Sequence, residues 1–136
     1  MAWEVIQAGR YGMMQLPDWW EDPNTPGVRF QKGSCIFNRA LMDVLRIATG
    51  SPVMLLVDRQ GNAFGFRSPQ EGEMDGSYRL HKPGSAKNKD QHSHQLGINC
   101  VPRLQKAFPW IKVGMALKAQ LVENGDYAMM VVRNKL

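Results

Sequence analysis

One order of elements is written twice in this chain, and that constrains the fold more than any other feature. The first copy, "SCIFNRALMDVLRIATGSPVMLLVDRQGNAFGFRS", runs from Ser34 to Ser68, and the second, "GINCVPRLQKAFPWIKVGMALKAQLVENGDYAMMVVRN", from Gly97 to Asn134. Each opens on a short strand-like run, Cys35–Phe37 or Ile98–Cys100, and then enters a short helix. In the first helix Asn38 suits the N-cap, and Leu41, Val44, Leu45 and Ala48 fall at helical spacing. In the second, Pro102 suits the first turn, Leu104, Ala107 and Phe108 form the equivalent stripe, and Pro109 ends it. An apolar strand follows in each copy, Val53–Val57 or Met115–Val122. A tight turn comes next, "RQGN" around Gly61 or "ENGD" around Gly125, and a closing strand, Ala63–Arg67 or Tyr127–Arg133.

A further strand precedes each copy, Trp3–Gly9 before the first and Ser77–Pro83 before the second. Between strand and copy lie two segments poor in core-forming residues. One is the proline-rich "RYGMMQLPDWWEDPNTPGVRFQKG"; the other is "HKPGSAKNKDQHSHQ", which carries three lysines and all three histidines of the chain. The two excursions therefore occupy equivalent places in a repeating unit. The acidic, glycine-bearing stretch 69–76 reads as the connector between halves 1–68 and 77–136 of a single domain.

The stretches "VRFQKGSCIFNRALMDVLRIATGSPVMLLVDRQGNAFGFRS", "GINCVPRLQKAF" and "MALKAQLVENGDYAMMVVR" together resemble the SpoVT/AbrB family of bacterial transition-state regulators, whose plan MazE-type antitoxins share. The resemblance implies a mainly β fold with short helices. Two β-β-α-β-β halves would close a pseudo-two-fold β-barrel, either of the swapped-hairpin type or of the related double-psi type. Family members build such a barrel from two short chains, whereas one chain here holds both halves. The connection between the first two strands is longer than the family's, and the proline before the helix is present only as Pro102, with Arg39 at the matching place in the first copy. Closure suits strands such as "VMLLV" and "YAMMVV", which are apolar on both faces, one face filling the interior and the other covered by helices. Nine methionines read as adaptable core filler.

Charge narrows the function. Residues 1–34 carry three Lys/Arg against four Asp/Glu, and residues 35–76 four against five. Residues 77–136 carry ten against three, so the formal net charge of +5 comes entirely from the second half. A one-sided positive field favours polyanions, nucleic acid first. The resemblance sets DNA contact on the first two strands, their loop and the helix start. Those positions are Arg79, Lys82, Lys87, Lys89, Arg103 and Lys106 in the second half, and Arg10, Arg29, Lys32 and Arg39 in the first. Asn88, Gln91 and Gln95 would add contacts to base edges. The plain alternative is a solvated polar loop.

Trp19 and Trp20, framed by prolines in "PDWWEDP", stack on bases, anchor a protein partner or cap one end of the barrel. His81, His92 and His94 lack the cysteines or carboxylates that would complete a metal set. No phosphate-binding glycine loop or nucleophile elbow is present, and Asp58, Glu123 and Asp126 sit at turns, where carboxylates serve geometry. The expectation is a non-enzymatic DNA-binding protein without a cofactor, monomeric as a pseudo-dimer or homodimeric. The alternative is an assembly component whose long loops and Trp pair bind a protein. Cys35 and Cys100 lie in apolar runs and read as buried free thiols; with no signal peptide and no membrane-length apolar run, they point to the cytoplasm.

Overall fold

The strand β1 (Gly27–Phe30) shows how tertiary context overrides a proline-rich sequence. In the computed structural model, which describes residues 16–82, 96–124 and 127–133, it ends the segment that the sequence presents as one long excursion. Val28 and Phe30 alternate into the core at zero exposure, and only Gln31–Ser34 link β1 to β2 (Cys35–Phe37), closed by the Gln31 N–H on the Ser34 carbonyl at 2.8 Å. The first-half connection is thus a tight turn, not the counterpart of the lysine-histidine segment. The expected strand Trp3–Gly9 lies outside the described residues.

Turn chemistry sets the next elements. Helix α1 (Arg39–Leu45) begins where the Asn38 carboxamide accepts from the Leu41 N–H at 2.9 Å. It ends three residues earlier than Ala48 because Arg46 adopts a left-handed conformation (φ 56°). The N–H groups of Arg46 and Ile47 then bond back to the carbonyls of Asp43 and Met42, a Schellman closure without glycine. The helix accordingly buries Ala40, Leu41 and Met42, and leaves Val44 and Ala48 of the expected stripe exposed. Strands β3 (Pro52–Asp58) and β4 (Ala63–Arg67) form a hairpin whose turn is held by the Asp58 carboxylate on the Gly61 N–H at 2.9 Å, with Asn62 at φ 53°.

The connector 69–76 is more than solvated slack. Arg67, buried at the end of β4, takes both oxygens of Glu73 in a forked ion pair at 2.6 and 2.9 Å, leading into a 3-10 turn at Met74–Gly76.

The second half follows with β5 (Tyr78–Arg79), β6 (Leu96–Ile98), α2 (Val101–Ala107, with Pro102 in its first turn), β7 (Ala116–Lys118), β8 (Gln120–Asn124) and β9 (Tyr127–Arg133). Leu104 and Phe108 are buried as the helical stripe requires. The apolar run Met115–Val122 is not one strand: it breaks at Ala119, whose N–H bonds the Pro26 carbonyl at 2.8 Å, and so serves two sheets.

Those sheets are antiparallel, in the orders β6-β2-β1-β7 and β5-β3-β4-β9-β8. They meet through aromatic rings: Phe37 of one lies 4.7 Å from Phe66 of the other, and Phe30 lies 5.9 Å from Phe64. The fold is therefore mainly β, with two sheets and two short helices, and no closed barrel is found among the described residues. At Gly97 the strands approach so closely that a Cβ would strike the Cys35 carbonyl and come within 2.9 Å of Ile36 Cδ1. Methionine is only partly core: Met130 and Met42 are buried, whereas Met54, Met74 and Met129 are partly or well exposed.

A candidate nucleic-acid interface

Asn38 organises the surroundings of the tryptophan segment. It is 2 % exposed, and its carboxamide makes four hydrogen bonds. Oδ1 accepts from the N–H groups of Leu41 (2.9 Å) and Gly27 (3.0 Å), and Nδ2 donates to the carbonyls of Trp20 (3.1 Å) and Thr25 (2.7 Å). One side chain thus joins α1, β1 and the Trp20–Thr25 loop. The sequence marks it as a helix cap; nothing in the sequence announces the other three bonds.

This loop changes the meaning of the tryptophans. Trp20 is 6 % exposed and cannot serve as an open partner anchor. Trp19 is half-buried over Gly27, where an added Cβ would collide with its ring, and Lys118 Nζ lies 5.9 Å from its centroid. The rings stand 5.8 Å apart, tilted by 50°.

Arg29 is likewise corrected. It sits on the central strand β1, 3 % exposed, with its guanidinium 5.6 Å from the centre of the Trp20 ring. Burial draws its pKa below the ordinary arginine value. A guanidinium so enclosed cannot reach a phosphate on the surface; it packs the sheet against the tryptophan loop.

Apart from Arg67, buried in its pair with Glu73, the remaining cations of the described chain lie in the open. Arg79 on β5 is exposed, and its Nη1 donates to the Gly50 carbonyl at 3.2 Å, just beyond α1. Arg103 on α2 donates to the Tyr78 hydroxyl at 3.0 Å, with its guanidinium 5.9 Å from that ring's centre. Lys82 and Lys106 are exposed, as is Lys32 in the β1–β2 turn. Arg39 is exposed on the first turn of α1, where it lines an open cavity of about 360 Å³ with Asp43, Thr49 and Leu96. Arg46, which the sequence presents only as a helix interior residue, is exposed at the C-cap of α1. Arg79 and Arg103 are thereby brought to one strand, β5, and to the turn that leads from α1 into β3; no described contact connects Lys32 to them. Arg10, Lys87, Lys89, Asn88, Gln91, Gln95, His92 and His94 lie outside the described residues, as do Gly125 and Asp126 of the second turn.

His81 forms an isolated antiparallel bridge just beyond β5. Its N–H and carbonyl pair reciprocally with Gly97 at 3.0 and 2.9 Å, and its Nδ1 lies 3.0 Å from the Arg79 carbonyl. Among the described residues no three His, Cys, Asp or Glu gather as a metal site would need, and no helix is long and apolar enough to cross a membrane. Cys35 and Cys100 are both buried and free; burial, with the neighbouring Cys100 thiol, pushes the Cys35 thiol well up.

No protein-family model matches this sequence, no curated protein matches it, and no solved structure matches its fold.

Proposed function

We propose that the protein binds duplex DNA through the exposed cations of β5, α1 and α2, as an AbrB-like regulator built from one chain. The observation that carries this reading is the linkage of Arg79 and Arg103 to a single strand. Arg79 reaches the Gly50 carbonyl in the turn before β3 and Arg103 rests on Tyr78, with Lys106 exposed on α2 and Lys82 exposed just beyond β5. Arginine and lysine held this way neutralise phosphates and release counterions, which gives affinity without base reading. Arg39 and Arg46 extend the basic surface along α1, where Asp43 is the acid among the residues lining the cavity. Lys87 and Lys89 would add to it. Arg29 and the tryptophans act behind the surface, as framework.

The pseudo-two-fold barrel belongs to this same proposal. Two features support it: β1 pairs with β7 and β5 with β3, so each half lends its first strand to the other. The chain also passes between the sheets three times, once through α1 and at two places directly. One is Ala119, between β7 and β8. The other is Leu80, between the β5–β3 pairing and the His81–Gly97 bridge. A swapped-hairpin and a double-psi path both use such exchanges.

Fluorescence titration of labelled duplex DNA at several salt concentrations tests the function. Affinity is expected to fall steeply with salt, and replacing Arg79, Lys82, Arg103 and Lys106 together by alanine to lower the slope of log K against log salt by about 3 to 4. Binding that ignores both salt and these substitutions, or no binding at low salt, sinks the reading.

A further inference from the structure

The outer face of the larger sheet is apolar, and no residue of the described helices lines its groove, contrary to the expectation that helices cover the strand face opposite the interior. Phe64 and Phe66 of β4 point into the core, so Ala63 and Gly65 point outward. Register then fixes two rows on this outer face. Leu56, Gly65, Val131 and Gln120 stand side by side across β3, β4, β9 and β8, and Asp58, Ala63 and Arg133 form the adjacent row. Leu56, Val122 and Met129 keep part of their surface exposed around an open groove of about 240 Å³, in which Asp58 and Arg133 are the charged groups. Both are exposed, and neither forms an ion pair among the described residues.

We infer that this face binds a second copy of the chain, in a two-fold dimer whose axis runs along β4. The charge pattern selects that occupant. A two-fold axis along β4 exchanges the β3 side for the β9 side. It thus sets Asp58 of one copy opposite Arg133 of the other, and Arg133 opposite Asp58, while Leu56 meets Val131. The two charges lie equally far from β4 on a single row, so one rotation satisfies both pairs. Ala63 (2 % exposed), Gly65 and Val131 (7 %) form the floor of the groove, with the Met129 side chain against Gly65, so the second copy meets mainly the rim residues Leu56, Val122 and Met129. Across four strands the patch is about 15 Å wide and its two rows lie about 7 Å apart, so it covers far less than the roughly 800 Å² per partner of a standard interface, and the dimer is weak and concentration-dependent. It is independent of the DNA reading, and its test contains no DNA.

Sedimentation velocity from about 5 to 500 µM reads the association. The wild-type chain is expected to shift from monomer toward dimer across this range. Asp58→Arg and Arg133→Asp each leave two like-charged pairs per dimer and are expected to weaken self-association about tenfold or more, while their equimolar mixture forms a heterodimer with every pair restored. Because Asp58→Arg also removes the acceptor for the Gly61 N–H, Asp58→Asn serves as a second variant. It keeps that bond, loses the charge, and is expected to associate more weakly than wild type. A wild-type chain that stays monomeric at 500 µM overturns the inference, whether or not another protein binds the face. So do single variants that dimerise like wild type, or a mixture no more associated than its components.

Discussion

Replacing Asn38 separates two physical roles that coincide in one side chain. As a helix cap alone, Asn38→Ala would cost about 1 kcal/mol. The side chain, however, also bonds the buried Gly27 N–H and the Trp20 and Thr25 carbonyls. Leaving the Gly27 donor unsatisfied adds about 1–3 kcal/mol, and loosening of the two carbonyls adds further, less where water can reach them. The sum is about 3–5 kcal/mol, a large share of the roughly 5–15 kcal/mol that holds an ordinary domain. Asn38→Asp is the sharper experiment, because aspartate caps helices as well as asparagine does. The carboxylate would keep both N–H partners but turn an oxygen toward the two carbonyls that Nδ2 now serves. We therefore expect Asn38→Asp to be destabilised by about 2 kcal/mol or more at neutral pH. Repulsion and burial raise the pKa of the introduced carboxyl above its unfolded value of about 4, so the deficit shrinks as pH falls toward that value. Urea unfolding at pH 7 and pH 4.5, followed by tryptophan fluorescence, measures both effects. Asn38→Asp within about 0.5 kcal/mol of wild type at pH 7 would refute the four-bond account and leave only the cap.

Two further outcomes are expected. Gly97→Ala forces a Cβ against the Cys35 backbone, which cannot step aside without opening the β2–β6 pairing. It should cost about 1–3 kcal/mol in urea unfolding, and a loss below about 0.5 would show that the pairing is looser than described. The Arg67 guanidinium, with the Gln70 N–H second, holds the Glu73 carboxyl at about 2 against an ordinary 4.5. A carboxyl whose pKa is depressed in the fold contributes stability above its unfolded value and loses it as pH falls through the folded one. The melting-temperature difference between wild type and Glu73→Gln should therefore be full above about pH 4.5 and close between there and about pH 2; a difference constant with pH would dismiss the ion pair as its source.

What the sequence discloses here is local chemistry. Asn38, Pro102 and the Asp58–Gly61 turn name their own roles, because capping and turn preferences act within four residues. The strands around those turns follow from apolar runs. What it conceals depends on partners distant in the chain. "GVRF" is a strand because β2 and β7 flank it, and prolines and glycines nearby disguise it. Ala119 divides the run Met115–Val122 because two sheets claim its ends. Arg46 ends a helix in a conformation usually left to glycine, so no residue type signals the stop. The candidate interface was legible in the same measure: Arg79, Arg103 and Lys106 are exposed as a basic patch requires, whereas Arg29 and Trp20 are buried by each other. Arg46 joins the basic surface only once the helix is known to be short.

The pairing of β1 with β7 joins residues roughly 90 positions apart. On a ribosome delivering the chain from its N-terminus, one margin of β1 stays unzipped until nearly the last strands have emerged. Folding of so non-local a topology is slow for its size, and the nascent first half is the stage at which clumping with neighbours is most dangerous.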